Sequence, residues 1–380
     1  MKPVRVLQVI GIMNRAGAES LIMNLYRTID RSLVQFDFVE HGNAPAVYDQ
    51  EIQELGGRVY RCPKFSGKNL LTYRKWWEEF FNLHDDEYEV IHGHIGSTAS
   101  IYLSIAKKHG LFTIAHSHNT NGPLNAKQVL YRTLSYPTRH TADYFFSCSR
   151  QAGIDRYGKK IADNPLKLSI MNNAVDTNKF AFNSEQRNRI RSLYGLDETK
   201  FVVGHVGRFA PAKNHDYLIE VFRSIHNKNQ NAVLLMLGDG DLREHIENSV
   251  IEYGLYSHVI FAGVQENVNE YMSAMDVLVF PSIFEGLPVT LVEAQASGLP
   301  SFISENIPAD AVIVPEIVSV LSLNEKPEYW AARINEYHSD DRLQYAGIVK
   351  KRGFDVENNA QELMKFYIEK SSRVKEERSK

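Results

Sequence analysis

Two carboxylates frame a short turn in SIFEGLPVTLVEAQASGLP, residues 282–300: Glu285 precedes Gly286-Leu287-Pro288, and Glu293 follows after seven intervening residues. Pro288 suits the first turn of a helix, where its missing N–H has no bond to lose, and Gly298 ahead of Pro300 suits the helix end. Glu285 is then a loop acid beside the unpaired N–H groups of Gly286, Leu287, Val289 and Thr290. Those donors, at the positive end of a helix, make an anion site suited to a diphosphate. Glu293 sits about two turns in, where a carboxylate facing the ligand accepts hydrogen bonds from a ribose diol. A second charged group stands in GRFAPAKN, residues 207–214, where Gly207 is followed by Arg208 and, five residues on, by Lys213. An arginine fork and a lysine point charge together can neutralise a departing pyrophosphate. Gly17, in NRAGAES at 14–20, lets backbone approach a ligand. Taken singly, each of these is also an ordinary loop or surface residue.

Other residues admit different chemistry. His92-x-His94 and His116-x-His118 alternate along strand patterns, so each pair shares a face, and such pairs bind zinc in some hydrolases. A hydrolase would also need a cleft-facing acid, and the obvious acids already belong to the helix element. No metal is therefore expected. Asp239-Gly240-Asp241 has the form of a cation-binding D-x-D, but it precedes LREHIENS, and Asp241 reads better as a helix N-cap with Glu244 completing a capping box. No activated nucleophile or general base for a double displacement accompanies these groups.

The elements that must position them alternate. In the first half, β-branched and aromatic runs at Val4–Ile10, Phe36–Val39, Val90–His92, Phe112–His116, Tyr144–Cys148 and Leu168–Met171 read as strands. Leu21, Ile22, Leu25, Tyr26 and Ile29 share one face of a crossover helix. A polar stretch at Asn183–Arg191 interrupts the pattern, which restarts at Phe201–Val206, Ala232–Leu237, Val259–Phe261, Val277–Phe280 and Ser301–Ile303. Two doubly wound α/β domains follow, with a boundary between residues 178 and 200, and the polar motifs fall at strand carboxyl ends, where such sheets bind ligands. At 380 residues the chain is long enough for two cores, and 43% hydrophobic against 23% charged residues is a folded composition. A net charge of −3 recruits no nucleic acid, and two cysteines form no disulfide framework. No run approaches the length of a spanning helix, so a cytoplasmic protein is expected. The charged tail Lys370–Lys380 is expected to fray.

Taken together, AGAE at 16–19, VIHGH at 90–94, HSHN at 116–119, NNAVDTNKF at 172–180, GRFAPAKN, GDGDLR at 238–243 and the E-x7-E element resemble the retaining glycosyltransferases of family four. The resemblance covers most of the chain and is sharpest toward exopolysaccharide and capsule members. It implies the GT-B architecture: two facing Rossmann-like domains with a deep cleft between them, residues 1–180 binding the acceptor and 181–354 the nucleotide sugar. A helix over about 355–372 would return to the first domain. It implies that Glu285 and the Gly286–Pro288 backbone hold the transferred sugar, that the amides of Val289, Thr290 and Leu291 meet the phosphates, and that Glu293 holds the ribose. His116 becomes a donor-facing residue contacting the sugar 6-hydroxyl or the phosphate, and Arg208 and Lys213 replace a metal. Ala16, Ala174 and SENIPAD at 304–310 depart from the usual glycines, and the last leaves the donor sugar open.

The reaction implied is retaining transfer of a hexose or N-acetylhexosamine from a nucleotide sugar, with UDP the expected nucleotide, to a lipid-linked glycan, without cofactor or metal. A nucleotide-sugar 2-epimerase of the same architecture and a non-catalytic donor-binding subunit are the alternatives. KQVLYRTLSYPTRH at 127–140 mixes bases with Leu130, Tyr131 and Leu134, as a helix against an anionic membrane surface would, whereas the aromatic stripe of YRKWWEEFF at 73–81 reads as core.

Overall fold

The computed structural model describes residues 2–14, 17–119, 125–337 and 341–379. Arg15 and Ala16 of NRAGAES and Lys380 of the tail lie outside them. The chain divides into two compact units, one of Met1–Ala174 with Val356–Lys380 and one of Val175–Asp355.

The first unit is built on seven parallel strands: β1 (Val4–Ile10), β2 (Val34–His41), β3 (Val59–Cys62), β4 (Val90–Gly93), β5 (Phe112–Ser117), β6 (Tyr144–Ser147) and β7 (Leu168–Ile170), in the order β3-β2-β1-β4-β5-β6-β7. Parallel strands need crossovers, and the helices that supply them cover both faces, so the central strands are apolar on each side. In β1, Leu7 and Val9 pack with Trp77 and Tyr102 on one face, while Val6 and Ile10 pack with Leu21, Leu25 and Tyr26 on the other. The aromatic stripe turns inward: Tyr73, Trp77, Phe80 and Phe81 of the helix Leu70–Leu83 are buried, and Trp77 stacks on Phe81 and Tyr102. The sheet face carrying Val6 is completed by the closing helix Val356–Arg378, whose Ala360, Leu363 and Tyr367 join that core. The tail does not fray at Lys370, because Ser371 and Val374 are buried and the Arg378 guanidinium donates to the His109 carbonyl at 2.9 Å.

The second unit holds β8 (Phe201–Val206), β9 (Ala232–Leu237), β10 (Val259–Gly263), β11 (Val277–Phe280), β12 (Ser301–Ser304) and β13 (Val318–Leu321), ordered β10-β9-β8-β11-β12-β13. All its pairings are parallel. Two expectations change here. The polar stretch taken as an interruption is the helix Ser184–Leu193, fastened to the second unit by Arg187 on Asp276 at 2.8 Å and by the buried Arg191. Its charges anchor it inward rather than solvate a linker. The division into units accordingly falls at Val175, ahead of residue 181.

Candidate functional site

The second unit assembles the E-x7-E element from the ends of β8 and β11. After β8 the chain passes Gly207 and Arg208 and makes a 3-10 turn, Pro211–Lys213. Asn214 follows with φ +57°, the left-handed conformation that asparagine tolerates better than most residues, and turns the chain into the helix His215–Lys228. After β11 the loop comes back onto this turn: the Ile283 N–H donates to the Ala212 carbonyl at 2.8 Å. That backbone bond brings the Lys213 ammonium to 2.6 Å from a Glu285 carboxylate oxygen, with both side chains largely buried. The same ammonium lies 4.5 Å from the centre of the Phe280 ring. Two expected site residues, 72 positions apart, therefore form one ion pair. A β-carbon at Gly207 would sit 3.2 Å from Lys213 Cε, so the absence of a side chain there leaves the lysine stem its path.

The site helix runs Val289–Ala296, and Pro288 is its N-cap at ψ 112° rather than a first-turn residue. The Leu291 N–H is bonded back to the Pro288 carbonyl at 3.1 Å. This corrects the expectation that it meets a phosphate: the turn tightens and uses that donor. Among the described residues the N–H groups of Gly286, Val289 and Thr290 have no backbone acceptor outside the helix; Leu287 is buried. Glu293 is half-buried, and desolvation pushes its carboxyl up to about 7, with Lys179 pulling the other way.

Two residues that hold this helix were missed as site residues. Gln295, fully buried, donates to the Leu291 and Ala311 carbonyls at 2.9 and 2.8 Å and accepts from the Ile313 and Val314 N–H groups, both at 2.7 Å. Its amide thereby satisfies all four of its hydrogen-bonding positions and ties the site helix to the segment after SENIPAD. Arg342 donates to the carbonyls of Ser297, Met275 and Met272, placing a buried cation at the negative end of the helix. A buried glutamine inside VEAQASGLP was the available signal for the first; Arg342 had none.

Arg208 is 71% exposed and lies 3.6 Å from Asp241. Asp241 is no N-cap: the following helix starts at Arg243 with Leu242 at the cap position and no side-chain cap bond. The glycines around it are dictated by packing instead. A β-carbon at Gly238, φ +129°, would fall 2.0 Å from the Gly207 carbonyl oxygen, and one at Gly240 would fall 2.5 Å from that of Phe209. The D-G-D turn is thus pressed against the Arg208 loop, and Asp239 accepts from the Gly240 N–H at 2.8 Å.

In the first unit, Gly17 opens the helix Gly17–Thr28, and a β-carbon there would touch nothing within 4 Å. His116, next to last in β5, has both ring nitrogens buried and without a partner, its ring stacked on His118 at 4.0 Å between centroids. The ring expected to face the donor is thus covered.

The family model described as "Glycosyl transferases group 1" matches residues 186–353, within the second unit. EpsF of Bacillus subtilis (strain 168), named as a glycosyltransferase, is 32% identical over 373 residues, 96% of either chain. The UDP-Gal:alpha-D-GlcNAc-diphosphoundecaprenol alpha-1,3-galactosyltransferase of Escherichia coli is 26% identical over 230 residues, 58% of this chain and 59% of that one. The crystal structure of Anabaena Alr3699/HepE in complex with UDP superposes with a TM-score of 0.76 at 16% identity, covering 96% of this chain and 99% of that one. With the two parallel-sheet Rossmann-like units and a relative matched end to end at 32% identity, the chain belongs to the group 1 glycosyltransferases and has their GT-B fold.

Proposed function

We propose that this glycosyltransferase moves a hexose or N-acetylhexosamine from a UDP-sugar to a lipid-linked glycan in exopolysaccharide or capsule assembly, with retention and without a divalent cation at the diphosphate. The observation that carries the reading is the Lys213–Glu285 pair standing ahead of a helix that offers the Val289 and Thr290 N–H groups. In this reading the diphosphate lies on those donors, with Arg208 and Lys213 neutralising it and Glu293 accepting from the ribose. The bond from the sugar's anomeric carbon to the phosphate oxygen breaks, and its electron pair leaves with UDP. The acceptor oxygen bonds to the same face, and its proton passes to the departing phosphate oxygen. Glu285 stands where the ring gains positive charge, and charge neutralisation lowers the barrier. His116 would contact the donor only once its ring is uncovered.

UDP and the diphosphoundecaprenol-linked acceptor in the names of the matched proteins support the donor and acceptor classes. A membrane-surface role for residues 127–140 is part of the proposal: Val129, Leu130 and Tyr136 are exposed, and Arg139 lies over the Tyr136 ring at 4.0 Å. No helix among the described residues is long and apolar enough to cross a membrane. The test is a thermal-shift panel of nucleotide sugars, followed by transfer to undecaprenyl-diphosphate-linked sugars with the product's anomeric configuration read by NMR. An α-linked product from an α-linked UDP-sugar is expected. An inverted product would refute retention. Release of an epimerised sugar without acceptor would favour the epimerase, and donor binding without turnover a non-catalytic subunit.

A further inference from the structure

The first unit carries a constellation that the transfer reaction does not use as a group. Gln8, His92 and His116 lie on the sheet face covered by the closing helix, with His94 and His118 just beyond the ends of β4 and β5. Nitrogens of His92, His94 and His116 lie within 4.8 Å of one another, the only such group of metal-ligating side chains among the described residues. Their ring centroids are 4.4, 5.2 and 5.4 Å apart. A tetrahedral ion with bonds of about 2.0–2.1 Å sets its nitrogens about 3.4 Å apart and the imidazole centres about 5 Å apart, which these spacings approach, but the His92 ring lies near-parallel to those of His94 and His116, at 26° and 17°, and has to turn for its lone pair to meet a shared ion.

Neighbouring side chains hold one nitrogen of His92 and both of His94, whose Nδ1 is bonded to His118 Nε2 at 2.8 Å. The Gln8 amide oxygen, which can only accept, takes His94 Nε2 at 2.8 Å and leaves the Nδ1 lone pair for the cluster. The Tyr367 hydroxyl holds His92 Nδ1 at 2.5 Å, which leaves His92 Nε2, buried and without a partner, on the other side. Neither nitrogen of His116 has a partner. Buried polar atoms left unpaired are costly, and an ion would satisfy several at once. A cavity of about 10 Å³ touches the three rings on one side and Leu21, Leu25, Phe36, Met171 and Leu363 on the other, and it is too small for a hydrated ion. The donors are imidazole alone, which selects zinc, cobalt, nickel or copper over magnesium or manganese.

We propose that His92, His94 and His116 bind one transition-metal dication, which replaces the 2.8 Å hydrogen bond between His118 and His94. Gln8 and Tyr367 orient two of the ligands, as outer partners of metal-bound histidines do. The full chain, purified without a histidine tag and stripped of metal, is titrated with Co²⁺ and followed by visible absorption, with bound zinc counted by mass spectrometry in competition. One equivalent of cobalt with the d–d bands of a low-coordinate nitrogen site is expected in wild type, and none in His94→Gln or His116→Gln. Tyr367→Phe keeps all three ligands and should weaken cobalt binding roughly tenfold, so it carries the test even where a ligand variant does not fold. Wild-type uptake no greater than that of His116→Gln, or unchanged affinity in Tyr367→Phe, overturns the site and leaves a hydrogen-bonded imidazole stack.

Discussion

Replacing Lys213 separates two contributions of one ammonium. Lys213→Met removes a charge proposed to face the leaving diphosphate and also strips Glu285 of its partner. The loss of one preorganised charge contact at a developing anion typically lowers turnover by about 10²–10³-fold, or roughly 2.7–4 kcal/mol of barrier. The stability effect follows from the pair's exposure, 18% for Lys213 and 15% for Glu285. Orphaning a fully buried charge costs about 3–5 kcal/mol, so this partly wet pair should cost about 1–3, or some 2–4 °C per kcal/mol in a domain of this size. The double variant Lys213→Met/Glu285→Gln has no orphaned charge and should regain most of the lost melting temperature while remaining at least 10²-fold slow. Melting curves and steady-state kinetics on wild type, the single variant and the double variant measure both quantities. Near-wild-type turnover in folded Lys213→Met would refute the phosphate role, and recovery of turnover with stability in the double variant would exclude a catalytic part for either charge.

Arg208→Ala should lower turnover by at least about 10²-fold with no change in melting temperature, since its exposed contact with Asp241 contributes little to stability; a large thermal shift would point to a structural role. The Glu293 carboxyl rises from 4.5 to about 7 on folding, so the unfolded chain gives up this proton first and the folded state loses stability as pH climbs between those values. Glu293→Gln should therefore melt above wild type at pH 8 and level with it near pH 4, while binding UDP about 1–3 kcal/mol more weakly at pH 8 by calorimetry. Glu285→Gln should leave UDP affinity unchanged and depress kcat, and the reverse order of affinities would misplace ribose and hexose along the helix. Withholding magnesium and manganese should leave turnover within about twofold of that with either ion present, whereas a strict requirement rescued by them would return Asp239 and Asp241 to the chemistry. Gln295→Ala, which orphans the Ile313 and Val314 N–H groups, should destabilise the second unit by about 2–4 kcal/mol in denaturant titration; a smaller loss would mean that water replaces the amide.

What the sequence showed depended on how much of each signal was local. Central strands such as Val4–Ile10 and Ala232–Leu237 are continuous apolar runs, and their bounds match the structure to the residue. The edge strands β3 and β13 went unread although three of four residues in VYRC and in VSVL are hydrophobic, because so short a run shows no period that separates it from a loop. The helix Ser184–Leu193 was mistaken for a break because its inward groups are arginines. Glu285, Arg208, Lys213 and Glu293 were legible as chemistry at strand ends, but the Lys213–Glu285 contact was not, because it depends on a backbone bond from Ile283 to Ala212. Likewise each H-x-H pair was visible on its own strand, while their convergence depends on the register that sets His92 beside Ile114.

The closing helix makes the order of synthesis matter. Ala360, Leu363 and Tyr367 complete a face of the first unit, yet the ribosome makes them only after the whole second unit. The second unit is one unbroken stretch of chain and can fold as soon as it emerges. Until residue 367 is out, β1 and β4 hold Gln8, His92 and their apolar neighbours open on one side. The first unit is then both the earliest made and the last finished, and its uncovered face is the surface that a chaperone would meet on the nascent chain.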